Sequence, residues 1–179
     1  MNDLTGRKIA IIVTDHFEEA ELVTPRDELS RAGAEVKVYG LSTDPAQAVE
    51  GDTEPTQKVP VDGTFGDLDV SSVDALVVPG GTVNADQLRV DEDAQEIVRE
   101  ALDTDKVVAV ICHAPWLLIS AGVAEGRTLT SYPSLAIDLT NAGATWKDEE
   151  VVVDGHLITS RNPDDLPAFV EAISDALVG

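Results

Sequence analysis

The chain contains a single cysteine, and a histidine follows it directly, as Cys112-His113. A thiolate is a strong nucleophile, and an adjacent imidazole is a plausible general base or proton carrier near neutral pH. Ahead of the pair runs Val107 to Ile111 (VVAVI), apolar and largely β-branched; behind it come Ala114-Pro115 and the apolar Trp116 to Ile119. A short uninterrupted apolar run fits a strand buried on both faces of a parallel sheet. Pro115 suits the first turn of a helix, where its missing N–H breaks no hydrogen bond. Cys112 is therefore expected on a strand-to-helix turn, the cysteine counterpart of a serine nucleophile elbow. Backbone N–H groups and a helix dipole at such a turn are expected to lower the thiol pKa. The plainer alternative is a lone cysteine packed as a small hydrophobe. The neighbouring histidine and the strand-end position favour the nucleophile.

Two other strand ends carry residues suited to the same chemistry. Ala75 to Val78 runs into Pro79-Gly80-Gly81, and Lys8 to Val13 runs into Asp15-His16-Phe17-Glu18-Glu19-Ala20-Glu21. Gly80 and Gly81 could turn backbone N–H groups toward a developing oxyanion, or they could form a plain tight turn. Glu18, Glu19 and Glu21 could simply stabilise a helix N-terminus. An acid buried against Cys112 would instead hydrogen-bond the thiolate, provided its pKa is high enough to keep it protonated. His16 ends a strand near the expected crevice and is a candidate substrate contact, whereas His156 lies beside a turn and is expected to be exposed. No G-x-G-x-x-G follows a strand, no Walker loop is present, and the three histidines show no metal-ligand spacing with cysteine.

Positioning these residues requires strands and helices in alternation. The Lys8–Val13 strand leads into a helix running to about Ala32, with Gly33 as its stop and Pro25 as a second start or a kink. Ala34 to Leu41 reads as a second strand, completing a right-handed β-α-β unit. Residues 42 to 69, rich in Pro, Gly, Asp and Thr, read as an excursion from the sheet with a short strand at Lys58–Val61. Asp91 to Leu102 carries Ala94, Ile97, Val98 and Ala101 at helical spacing. Further on come a strand at Arg127–Thr130, a short helix from Ser134 to Asn141 capped by Ser134, and a hairpin about Asp154-Gly155. An apolar stripe of Leu166, Phe169, Val170, Ile173 and Leu177 marks a closing helix. The pattern predicts an α/β layered fold with a mainly parallel sheet, whose ligand site lies beyond the carboxyl ends of the strands.

At 179 residues the chain is expected to be one domain, spanning residues 1–179 and burying about 70% of its unfolded surface. No segment approaches the ~18 apolar residues of a membrane span. Charges stand where a secretory signal would place its apolar core, and one cysteine cannot form an internal disulfide, so a reducing cytoplasm is expected. Asp plus Glu number 34 against 12 Lys plus Arg, for a formal charge of −22. That acidity argues against nucleic acid or anionic membranes as partners. Its dispersal over the chain points to a salt-adapted, halophilic source, since screening relieves the self-repulsion.

Taken in order, the segments DHFEEAEL (15–22), LVVPGG (76–81), AVICHAP (109–115), TSYP (130–133) and TSRNPDDL (159–166) resemble the PfpI family. That family belongs to the superfamily of the Parkinson-associated protein deglycase and is related to class I glutamine amidotransferase domains. The resemblance implies a flavodoxin-like three-layer sandwich with a cysteine nucleophile at Cys112 and His113 beside it. It further implies that Glu21 is the buried acid contacting the thiol, Glu18 a second acid lining the pocket, and Tyr132 a pocket tyrosine. In the protease-named branch an acid from a neighbouring subunit completes a Cys-His-acid triad. Asp86 is the nearest match here, an aspartate where glutamate is usual, and sharing it would require at least a homodimer, or a hexamer. Ala114 stands where many relatives have glycine. The family's names cover intracellular peptidase, stress chaperone, cofactor-free glyoxalase and protein deglycase. A small enclosed thiolate pocket suits a reactive carbonyl such as methylglyoxal, or its protein adducts, better than a folded polypeptide. The expectation is a cofactor-free, cysteine-dependent stress enzyme. An intracellular cysteine peptidase and a redox-sensing chaperone remain as alternatives.

Overall fold

The computed structural model describes residues 1–179. Its strands are β1 (Lys8–Ile12), β2 (Phe17–Glu18), β3 (Glu35–Gly40), β4 (Ala46–Glu50), β5 (Glu54–Val59), β6 (Gly63–Thr64), β7 (Ala75–Val78), β8 (Val107–Ile111), β9 (Thr128–Leu129), β10 (Thr145–Trp146), β11 (Val151–Asp154) and β12 (Leu157–Ser160). The helices are α1 (Glu19–Arg31), α2 (Thr82–Val90), α3 (Glu92–Asp103), α4 (Pro115–Ser120), α5 (Ala136–Asn141) and α6 (Leu166–Ala176). Seven strands form the central sheet in the order β11-β12-β8-β7-β1-β3-β6, and every pairing is parallel except β11 with β12.

Alternate residues of these strands face two separate cores. Ile9, Ile11, Val77, Ala109 and Ile111 pack on one face with Leu22 and Leu29 of α1 and Phe169 and Ile173 of α6. Ala10, Ile12, Leu76, Val78, Val108 and Val110 pack on the other with residues of α2 to α5, among them Leu88, Val98, Leu117 and Leu139. The result is the expected flavodoxin-like three-layer sandwich. From β1 the chain steps outward to β3, then returns across β1 to β7 and β8. The strand order therefore reverses between β1 and β7, which is where such sheets open a crevice at their carboxyl ends.

Local departures from expectation have physical causes. Pro25 neither ends nor restarts α1; it lies inside one continuous helix. The 42–69 excursion is more ordered than its composition suggests. β4 and β5 form an antiparallel hairpin whose first strand pairs with β2, and β6 joins the edge of the main sheet. Ser134 does not cap a helix, because Pro133 begins a 3₁₀ turn one residue earlier and α5 starts only at Ala136. Helix α2 follows Gly81 without any local side-chain cap, and nothing in the sequence marked it as a helix.

Candidate active site

Three strand ends converge on Cys112. The cysteine adopts a left-handed φ of 64°, a conformation that L-residues other than Gly, Asn and Asp seldom take up. It is held there from both sides, with its N–H donating to Ser160 O at 3.1 Å and its carbonyl accepting from Tyr132 N at 2.8 Å. A sharp turn at the end of β8 thus presents the sulfur, as a nucleophile elbow requires. His113 Nδ1 lies 3.2 Å from the sulfur. The imidazole is stacked on Tyr132, with ring centroids 4.6 Å apart, and meets Trp116 edge-on at 5.5 Å. Burial lowers the His113 pKa, partly offset by the negative charge of Asp52, so the ring is neutral near pH 7.

Glu21 comes from the first turn of α1 and is fully buried, a setting no helix N-terminus requires. Its Oε2 accepts the Gly80 N–H at 2.8 Å, whereas Oε1 has no partner within the chain. Burial pushes the carboxyl pKa up to about 8, against the lowering effect of the Gly80 and Cys112 hydrogen bonds. Glu21 is therefore mainly protonated at neutral pH, able to donate a hydrogen bond while remaining uncharged in an apolar setting.

The thiol itself departs from expectation. Burial, reinforced by the proximity of Glu21, pushes the Cys112 pKa up and not down; the Gly81 N–H works the other way. Two observations explain the reversal. The sulfur's residue is only 6% exposed, and α4 spans just six residues, too short to offer a strong dipole. Ionisation of this sulfur consequently depends on a proton acceptor beside it, the position His113 occupies.

Gly80 and Gly81 make close approaches that no larger residue permits. A Cβ on Gly80 would lie 2.6 Å from both Cys112 Cβ and Glu21 Oε2, and one on Gly81 would lie 2.7 Å from Glu18 N and from His16 O. Gly81 also has a φ of 85°. Gly80 lets backbone pack against the acid and the cysteine, and Gly81 lets it pack against the segment that follows β1.

The remaining candidates separate. Glu18 is half-buried beside the site but holds the hairpin tip, its two oxygens accepting the N–H groups of Gly51 at 3.1 Å and Asp52 at 3.2 Å. His16 contributes its carbonyl next to Gly81, while its residue is exposed. Asp86 lies exposed on α2 and makes no hydrogen bond to His113 within the chain. Two residues had no signal in the sequence. Asn84 is fully buried and donates to Pro79 O at 2.8 Å and Gly80 O at 2.9 Å, while its Oδ1 accepts from Thr14 N at 2.7 Å. It thus ties the glycine turn to the end of β1. Asp52, at the β4–β5 hairpin tip, reaches Thr82 and stands close enough to act electrostatically on Cys112, His113 and Glu21.

A doubly covered parallel sheet with a cysteine elbow, a buried acid and two close-approach glycines at its topological switch defines the cysteine-elbow class of flavodoxin-like proteins. The chain belongs to the DJ-1/PfpI family, whose model matches residues 7–176. It is 42% identical over 165 residues to protein/nucleic acid deglycase 2 of Escherichia coli (strain K12), covering 92% of this chain and 94% of that one. It is 40% identical over 164 residues to YraA of Bacillus subtilis (strain 168), provisionally named a cysteine protease, covering 92% and 94%. Among solved structures, Drosophila melanogaster DJ-1beta superposes with a TM-score of 0.87 at 30% identity, covering 100% of this chain and 92% of that chain. No helix is long and apolar enough to cross a membrane.

Proposed function

We propose that this protein is a cofactor-free, cysteine-dependent stress-response enzyme acting on reactive carbonyls or their protein adducts, of the methylglyoxal glyoxalase or protein deglycase type. The observation that carries the reading is the contact of Cys112 with two neutral proton carriers, His113 at 3.2 Å and a buried Glu21 raised to about 8. In the proposed cycle, His113 takes the thiol proton as the sulfur attacks the aldehyde carbon of methylglyoxal, and the carbonyl oxygen is protonated to a hemithioacetal. An acid/base beside the sulfur then moves the proton from that carbon to the neighbouring ketone carbon, leaving a lactoyl thioester. Water hydrolyses the thioester, releasing lactate and restoring the thiol. Substrate plus water equals product, with no net oxidation. The E. coli deglycase relative supports this class, and the low exposure of Cys112 favours a small electrophile.

A peptidase reading draws on the relative named a cysteine protease. It requires an acid on His113, and none hydrogen-bonds that ring within the chain. We propose that Asp86 of a second copy fills this role in a homo-oligomer, a dimer or hexamer. The exposed Val83 and Val90 on the same helix favour such an interface. A cytoplasmic setting fits a reduced thiol of this kind. Incubation with methylglyoxal, followed by NMR, tests the proposal: lactate from the wild type and none from Cys112→Ala supports it. Peptide cleavage without lactate overturns it in favour of the peptidase. Equal aggregation protection by both proteins without turnover overturns it in favour of a chaperone.

A further inference from the structure

We propose that Asp52 is a positioning residue of the active site, reaching from the β4–β5 hairpin tip to clamp Thr82 and so hold the Gly80-Gly81 turn against Cys112. The inference rests on the reading of Cys112 as nucleophile. Gly81 precedes α2 and has no side chain, so the helix lacks a cap of its own. Asp52, 30 residues earlier, supplies it: Oδ1 accepts the Thr82 N–H at 2.7 Å and Oδ2 accepts from the Thr82 hydroxyl at 3.0 Å. Asp52 can reach because the chain turns left-handed at Gly51 and at Asp52, with φ of 59° and 66°. Glu18 fastens that turn by accepting both of its N–H groups. A continuous set of hydrogen bonds therefore runs from Glu18 through the hairpin tip to Thr82. The next residue toward the site is Gly81, whose N–H favours the thiolate, and then Gly80, whose N–H donates to Glu21 Oε2 at 2.8 Å and whose Cα packs against Cys112.

Simple helix capping would account for the hydrogen bonds but not for the site's charge. Asp52 also acts electrostatically on the thiol, on His113 and on Glu21, raising the pKa of each. The charged or titratable groups facing the sulfur are Glu21 from α1, Asp52 from the hairpin and His113 from the elbow, with Glu18 from β2 acting on Glu21. In this arrangement Asp52 disfavours a resting thiolate while holding the N–H group that stabilises one.

The single cysteine makes the test direct. Iodoacetamide alkylation of Cys112 is followed by intact mass across pH for wild type, Asp52→Asn and Asp52→Ala, with thermal melting as the check on folding. Asparagine keeps an acceptor for Thr82 and removes the charge, so the alkylation midpoint should move to lower pH by roughly half a unit or more. Alanine removes the clamp as well, and alkylation of the thiolate should differ from that of Asp52→Asn by about tenfold as the Gly81 N–H loses its fixed position. Profiles of both variants that superimpose on the wild type would overturn the proposal. The measurement uses no carbonyl substrate, so an absence of lactate formation would refute the proposed reaction without bearing on Asp52.

Discussion

At the amino end of β8, Asp105 turns the chain with a φ of 56° on the surface; at the carboxyl end, Cys112 does so with a φ of 64° in the interior. Aspartate tolerates the left-handed region, and Asp105 has an 83% exposed side chain near His156, 3.7 Å away. Cysteine has no such tolerance. Its conformation persists because Ser160, Tyr132 and the glycine turn surround it, and strain imposed in this way accumulates at functional sites. The same contrast holds for the histidines. His156 is solvated beside a turn, whereas His113 is buried, stacked and joined to sulfur. One strand therefore carries an ordinary turn at one end and a constrained one at the other.

The sharpest way to break this contrast is to add a single methyl group. Gly80→Ala would force a Cβ to 2.9 Å from Ile111 O, as well as onto Cys112 and Glu21, and is expected to cost about 3 kcal/mol of stability and to abolish turnover. Gly155→Ala, in the hairpin near the other end of β8, meets no atom within 4 Å and carries only its left-handed strain, about 1 kcal/mol. Urea unfolding of both variants measures the difference.

Glu21 sharpens the comparison through pH. Its folded pKa is raised to about 8 from an ordinary value of 4.5, so the folded state binds a proton that the unfolded chain has released. The associated stability is complete below about pH 4.5 and is lost as pH rises toward 8, with a limiting slope of about 1.4 kcal/mol per pH unit. Glu21→Gln should flatten that slope between pH 5 and 8 in urea titrations, while His156→Ala leaves it unchanged. Salt probes the surface alone. With a net charge of −22, melting temperature should rise by several degrees, roughly 1 kcal/mol, between 0.1 and 2 M KCl. Equal stability across that series would count against salt adaptation. The smallest effect is expected for Asp105→Gly, which relieves a mild conformational preference and should change stability by less than about 1 kcal/mol, with Cys112 alkylation unaltered.

Legibility in the sequence followed how local each cause is. Apolar runs ending in Cys112-His113, Gly80-Gly81 and Glu21 were readable because a strand, its stop and its first helical turn are contiguous in the chain. The elbow followed from those endings; among Glu18, Glu19 and Glu21, only the family resemblance singled out Glu21 as the acid beside the thiol. Helix α2 was not readable, because its capping carboxylate is Asp52, which reaches Thr82 from a hairpin tip 30 residues away. Asn84 was hidden for the same reason: nothing in Thr82-Val83-Asn84 shows that its amide will join the end of β1 to the glycine turn. The turn type alone predicts a lowered thiol pKa, and deep burial beside a six-residue helix reverses it. The family resemblance implies that Glu18 lines the pocket; its contacts to the N–H groups of Gly51 and Asp52, across more than 30 residues, had no local signal.

For Cys112 to act as a nucleophile, a sulfur almost enclosed at the end of β8 must remain chemically reachable. Intact mass after native treatment with iodoacetamide at pH 7.5 reads this directly, since the chain offers only one thiol. One carbamidomethyl group per folded chain is expected, with little uptake by protein lacking the His113 imidazole. A folded chain that stays unmodified, while the urea-unfolded chain is labelled at once, would contradict it.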